Sequence, residues 1–284
     1  MATWAGSRAT REAAGAVSDV RRLAGGVVEG FNRHDLLTYA SAIAFQVMTA
    51  LIPLAMFALA LLGFLHLGDA WSRHLAPQLR QHASHEVYAL VNQVALKALG
   101  AKRGFWLTAG ALLAVWETSG AVRAVMGALS RVYGARERRS RTRRYLISFG
   151  LAVAAGVLIA LAFTVVRFGP DVVHGLAVSI LRWPVACAVL ITAVWLLVRF
   201  APGEPQPVGW VSAGSVLCVA AWLVTSVAFG LYAFRVASYQ SLFASLAVLF
   251  VAMTYLYLSA CAFLVGAMLD ALLRRRETGS RSGR

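Results

Sequence analysis

Ser130 to Arg144 reads SRVYGARERRSRTRR, seven arginines against the single acid Glu137, and it lies between two apolar runs. Arginine clusters in short connections stay on the inner side of a membrane, because moving them through hydrocarbon is costly and the membrane potential opposes it. Arg131, Arg136, Arg138, Arg139, Arg141, Arg143 and Arg144 therefore orient the chain and are expected to face anionic lipid.

The rest of the composition agrees. The chain has 284 residues, of which 60% are hydrophobic and 14% charged, and the apolar residues are clumped. That pattern excludes a soluble domain and predicts an all-α, polytopic membrane protein, a bundle of six helices with interfacial amphipathic helices beside it. The net charge of +15 would suit nucleic acid, but the basic residues are concentrated in the gaps between apolar runs. Membrane lipid is therefore the expected partner and nucleic acid is not. Cys187, Cys218 and Cys261 all fall within apolar runs, with neither disulfide-framework nor metal spacing, and read as small buried hydrophobes.

Residues 1–35 form a polar N-terminal segment with Arg8, Arg11, Arg21, Arg22 and Arg33 spread through it, which speaks against a cleavable signal peptide. From Val17 to Phe31 the apolar positions share one helical face, predicting a short helix lying in the membrane interface, since nothing nearby in sequence could bury its stripe. The membrane domain, 36–273, is expected to hold spans at about 36–65, 104–129, 145–166, 180–198, 208–234 and 242–273. A basic tail, 274–284, follows and reads as disordered. Of the 27 Lys and Arg, this places 18 inside, eight outside and Arg123 within a span. Both termini are then on the cytoplasmic side of a bacterial inner membrane.

The polar residues inside the spans are few. Pro53 interrupts the first span, where a missing amide and a ring clash predict a kink, and Gln46 and Thr49 precede it. Glu117 is the acid nearest a bilayer midplane. Six residues turn a helix by about 600°, so Arg123 and Glu117 do not face each other. Asp270 is carried into the inner interface by the long sixth span. Four histidines, His66, His74, His82 and His85, lie in the first outer connection without a full ligand set of recognisable spacing. Neither metal nor cofactor is expected. In the same connection Val87, Val91, Val94 and Ala98, flanked by Tyr88, Leu90 and Ala95, predict a second amphipathic helix on the outer face.

The segments YASAIAFQVMTALIPL (Tyr39 to Leu54), Trp116 through SGAVRAVMGALSRVYG (Ser119 to Gly134), Arg199 to Pro202, Gly214, Trp222, Leu231-Tyr232 and TYLYLSACAFLVGAMLDAL (Thr254 to Leu272), in this order, resemble the YihY/BrkB membrane proteins, once named ribonuclease BN. The resemblance covers roughly residues 20 to 273. It implies six helices in the bacterial inner membrane, no agreed biochemical activity, and roles in transport or lipid handling across the envelope or in serum resistance. Three positions depart from the pattern: Gln46 stands where an aromatic is expected, Tyr239-Gln240 replaces tyrosine-glycine, and Met268 replaces the acid of a Gly-Ala-Glu signature. Glu117 or Asp270 is the candidate to supply that charge.

Three function classes follow. An enzyme is not expected, because no histidine lies securely within a span and Glu117 and Asp270 differ in depth. Translocation of a lipid or amphipathic solute fits Gln46, Thr49, Pro53, Glu117 and Asp270 as polar groups in or beside a broken helix. A non-transporting scaffold for envelope proteins would use the basic loop and tail as docking surfaces and the buried polar residues as helix glue. Abundant glycine and alanine in the spans permit close packing and a homo-oligomer, although no clean GxxxG sets an interface.

Overall fold

Capping chemistry brackets the arginine stretch on both sides. In the computed structural model, which describes residues 21–64, 71–72, 76–82, 88–89, 91–93, 95–96, 103–135, 138–172, 176–204, 208–236 and 244–282, the chain is all-helical. Its helices are α1 (21–33), α2 (Leu36–Phe64), α3 (Ala76–His82), α4 (Arg103–Val132), α5 (Arg141–Val172), α6 (Leu176–Phe200), α7 (Val208–Val236) and α8 (Ala244–Ser282). At the end of α4 the Ala135 amide reaches back to Ser130 O and the Gly134 amide to Arg131 O, with Gly134 at φ 66°. This is a Schellman cap, and a left-handed residue there is what glycine supplies without strain. Ser140 opens α5: its carbonyl accepts from the Arg144 amide at 3.0 Å.

Six stretches among the described residues are long and apolar enough to cross a membrane: Leu36–Leu61, Thr108–Val132, Arg141–Val166, Leu181–Phe200, Gly214–Tyr232 and Leu249–Arg274. They pack as a closed ring, α2 against α4, α4 against α5, α5 against α6, α6 against α7, α7 against α8, and α8 back against α2. The main core lies towards the arginine loop, where Leu36, Met126, Leu129, Val132, Val198, Cys218 and Leu264 are fully enclosed. Towards the far end fewer large side chains are buried, and those of α5 and α7 mostly point outward. An apolar surface of that kind is the ordinary outside of a membrane bundle.

Three expectations are refined. The N-terminal helix finds protein cover for its apolar stripe: Val27 and Phe31 pack on the main core, and Gly26 and Gly30 seat against Leu272 and Met268 of α8. The partner for its stripe comes from the other end of the chain, out of reach of a local reading; Val17 and Val20 lie outside the described residues. In the second amphipathic segment Tyr88, Val91 and Ala95 cluster with Leu59 of α2, Trp71 and Ala76, and the Trp71 indole donates to Asn92 at 3.1 Å; Val87, Leu90, Val94 and Ala98 lie outside the described residues. Finally, α8 runs on through the basic tail to Ser282. No proline stops it, and cations near a helix C-terminus complement the helix dipole.

The α7–α8 contact brings two backbones close together. A Cβ at Gly266 would stand 2.5 Å from the Cys218 Cα, so backbone meets backbone there. The Cys218 thiol donates to Phe263 O at 3.3 Å across the same seam. Gly266→Ala should therefore force the helices apart and lower stability by about 2 kcal/mol, in the range for overpacked cores. Gly150→Ala, where the added methyl meets nothing within 4 Å, should be neutral or slightly stabilising. Thermal unfolding of the two variants in detergent checks the contrast.

Candidate functional site

The polar residues singled out in the sequence fall into two clusters at different depths. The first joins α2 and α4. Thr49 Oγ1 lies 3.2 Å from Glu117 Oε2 and 3.0 Å from Gln46 O, so one hydroxyl bridges the two helices. Gln46 Oε1 sits against Gly120, one turn further along α4. Pro53 is buried within a continuous α2. It has no amide hydrogen, so the Thr49 carbonyl lacks its usual i+4 donor. Gln46, Thr49 and Glu117 are all partly accessible, outside the sealed core. A hydroxyl, a carboxylate, a carboxamide and an under-bonded carbonyl thus converge within a span, and such a group can hold the polar part of a solute or water.

Arg123 turns away from Glu117, as the helical angle requires. Its guanidinium donates to Ser119 at 2.7 Å and stacks 4.6 Å from the centre of the Tyr145 ring on α5. That arrangement places the charge towards the arginine loop and covers it with an aromatic face.

The second cluster is centred on Asp270, which is 2% exposed. The Tyr133 hydroxyl donates to Asp270 Oδ2 at 2.8 Å, Arg274 Nη2 pairs with the same oxygen at 2.7 Å, and the Gly214 amide donates as well. The Arg274 guanidinium also lies 5.1 Å from the Tyr133 ring centre. A Cβ at 214 would come within 2.6 Å of the Asp270 carboxyl carbon, so only glycine lets the backbone approach the carboxylate this closely. Burial, then the charge of Asp270, push the Tyr133 hydroxyl above its ordinary range, so it stays protonated and donates. Glu117 and Tyr133 are sixteen residues apart on one helix, roughly 24 Å along its axis, so Asp270 does not belong with the Glu117 group. Asp270 ties α4, α7 and α8 together. The sequence analysis missed all three partners: the i, i+4 spacing could have pointed to Arg274, whereas Tyr133 and Gly214 are distant in sequence and carry no signal.

The arginines divide similarly. Arg131 stacks on Tyr39 at 5.0 Å and lies 3.9 Å from Asp35, while Arg139 donates to Phe200 O at 3.1 Å. Arg138 and Arg143 line an open cleft beside Arg139; Arg141 and Arg144 are on the first turn of α5. Arg136 lies outside the described residues, as do His66, His74 and His85. No group of three His, Cys, Asp or Glu that could hold a metal occurs among the described residues.

The family model described as Virulence factor BrkB matches residues 27–284. The chain belongs to the BrkB family. Among its BrkB-like relatives, the ribonuclease-like protein YfkH of Bacillus subtilis is 25% identical over 259 residues, 87% of this chain and 93% of that protein. The UPF0761 membrane protein Rru_A2625 of Rhodospirillum rubrum is 27% identical over 261 residues, 86% of this chain. This chain spans only 57% of that relative's length. No solved structure matches it. At the position where an acid of the BrkB signature was expected, Met268 packs on Gly30 of α1, and the nearest carboxylate on α8, Asp270, faces Tyr133 instead.

The pairing at Asp270 gives an ordered set of expectations. Tyr133→Phe removes one hydrogen bond and should cost about 1 kcal/mol. Asp270→Ala leaves the Arg274 guanidinium without its carboxylate and should cost roughly 3 kcal/mol or more. Asp270→Ala combined with Arg274→Leu should recover much of that loss, and melting temperatures in one detergent rank the three.

Proposed function

We propose that this BrkB-family membrane protein translocates, or otherwise handles, a lipid or amphipathic solute across a bacterial inner membrane, with both ends of the chain on the cytoplasmic side. The observation that carries the reading is the accessible group on α2 and α4, in which Glu117 meets Thr49 beside Gln46 and the proline-freed Thr49 carbonyl. A carboxylate at that depth costs several kcal/mol unless it is partnered or solvated, and ionisable groups within spans mark solute pathways in many transporters. In this reading Glu117 and Thr49 bind the polar part of the solute, Gln46 orients it, and Pro53 keeps the Thr49 carbonyl available.

A second reading, a non-transporting scaffold in envelope assembly or serum resistance, is favoured by the dense packing around the arginine loop, where Arg139 and Ser130 tie the loops to each other. Envelope proteins or a second copy of the chain would then dock on the basic face. A ribonuclease, the activity named for the Bacillus relative, is the third and least favoured reading; it requires metal-dependent RNA cleavage by the purified protein.

Reconstituted vesicles carrying a fluorescent phospholipid, quenched from outside, separate the first two. The wild type should accelerate lipid exchange between leaflets. Glu117→Ala with Gln46→Ala should reduce the rate at least about tenfold, roughly 1.4 kcal/mol of barrier, at unchanged protein level. Wild-type rates in that double variant would remove these residues from the mechanism, and no acceleration by the wild type would favour the scaffold.

A further inference from the structure

Between the arginine loop, the first turns of α5 and the connection after α6 lies an open cleft of about 710 Å³, lined by Arg138, Arg139, Arg143, Ile147, Gly150, Leu151, Phe200, Gly203 and Glu204. Its walls are of two kinds. Three guanidinium groups and the Glu204 carboxylate make up the charged part of the lining, and Ile147, Leu151 and the exposed Phe200 ring make up the apolar part. Arg139 is committed to Phe200 O, and Glu204 also has a partner. Among the described residues none pairs with the Arg138 or Arg143 guanidinium. Ile147 and Leu151 belong to the candidate span Arg141–Val166, whose first turn carries Arg143.

We propose that this cleft is a binding site for an anionic phospholipid, its phosphodiester held by Arg138 and Arg143 and an acyl chain laid along Ile147, Leu151 and Phe200. Guanidinium groups suit phosphate because their planar forks match two of its oxygens at once. An inorganic or nucleotide phosphate would leave the apolar wall uncovered, whereas a lipid covers both walls. A zwitterionic headgroup would satisfy the arginines less well, because its own ammonium competes for the phosphate. Glu204 at the rim further disfavours headgroups carrying several negative charges, which selects a single phosphodiester. The site is distinct from the Glu117 group, and equilibrium binding to it does not require that any lipid be translocated, so its failure and that of the proposed function are separable.

The test uses full-length protein in detergent, with dioleoyl phosphatidylglycerol titrated in and bound lipid counted by native mass spectrometry, against dioleoyl phosphatidylcholine and inorganic phosphate. Phosphatidylglycerol should bind about tenfold more tightly than phosphatidylcholine. Arg138→Gln with Arg143→Gln should abolish that preference, a loss of roughly tenfold to thirtyfold for two cations near a phosphate. Gly150→Phe keeps every charge and adds a ring where the new side chain starts in open space. It should fill the cleft and weaken binding to a similar degree, with the melting temperature unchanged. Equal binding of the two lipids by the wild type would overturn the proposal. So would a loss on the arginine changes with none on Gly150→Phe, which would mean attraction to a charged surface only. Displacement of the lipid by millimolar inorganic phosphate would reassign the cleft to a soluble anion.

Discussion

Hydrocarbon offers no partner to a charge, and most of this architecture follows from meeting that constraint. The chain gathers seven of its arginines around the one connection between α4 and α5 and turns Arg123 towards that end under the Tyr145 ring. It encloses Asp270 among an arginine, a tyrosine hydroxyl and a glycine amide. The first joins consecutive helices, α4 and α5, and the second joins helices remote in sequence, so satisfying the polar groups also helps assemble the ring. The Asp270 contact alone links α4, α7 and α8, and the glycine at 214 is the condition for it.

The two polar clusters meet the constraint in different ways, which separates a structural role from a functional one. Asp270 is sealed against the Tyr133 hydroxyl and the Arg274 guanidinium, and a carboxylate so enclosed is closed to a solute. Glu117 has a single hydroxyl partner among the described side chains, shared with a backbone carbonyl, and remains accessible. The same economy applies at the arginine loop. Arg131 and Arg139 are engaged by Tyr39 and Phe200, while Arg138 and Arg143 border a cleft with an apolar wall. Groups left under-coordinated beside apolar surface are those with something to offer an amphipathic molecule.

The match to the BrkB family runs from residue 27 to 284, so it takes in part of the N-terminal helix together with all six candidate spans. With methionine at position 268, α8 presents a flexible apolar side chain to α1, and Gly30 provides the space. The N-terminal helix is thereby part of the bundle's packed end.

Hydropathy was enough, in the linear sequence, for the number of candidate spans and for the all-helical class, because burial in lipid acts on each segment independently of its neighbours. The spacing of Asp270 and Arg274, four residues along one helix, is a local signal too, but it carries no trace of Tyr133 or Gly214. What α1 packs against, where Tyr88 and Val91 find cover, which helices close the ring, and which polar residues are sealed or open were decided by the tertiary structure alone. Those outcomes depend on side chains brought together from opposite ends of the chain. No periodicity within a single helix records which neighbour will lie a few ångströms away.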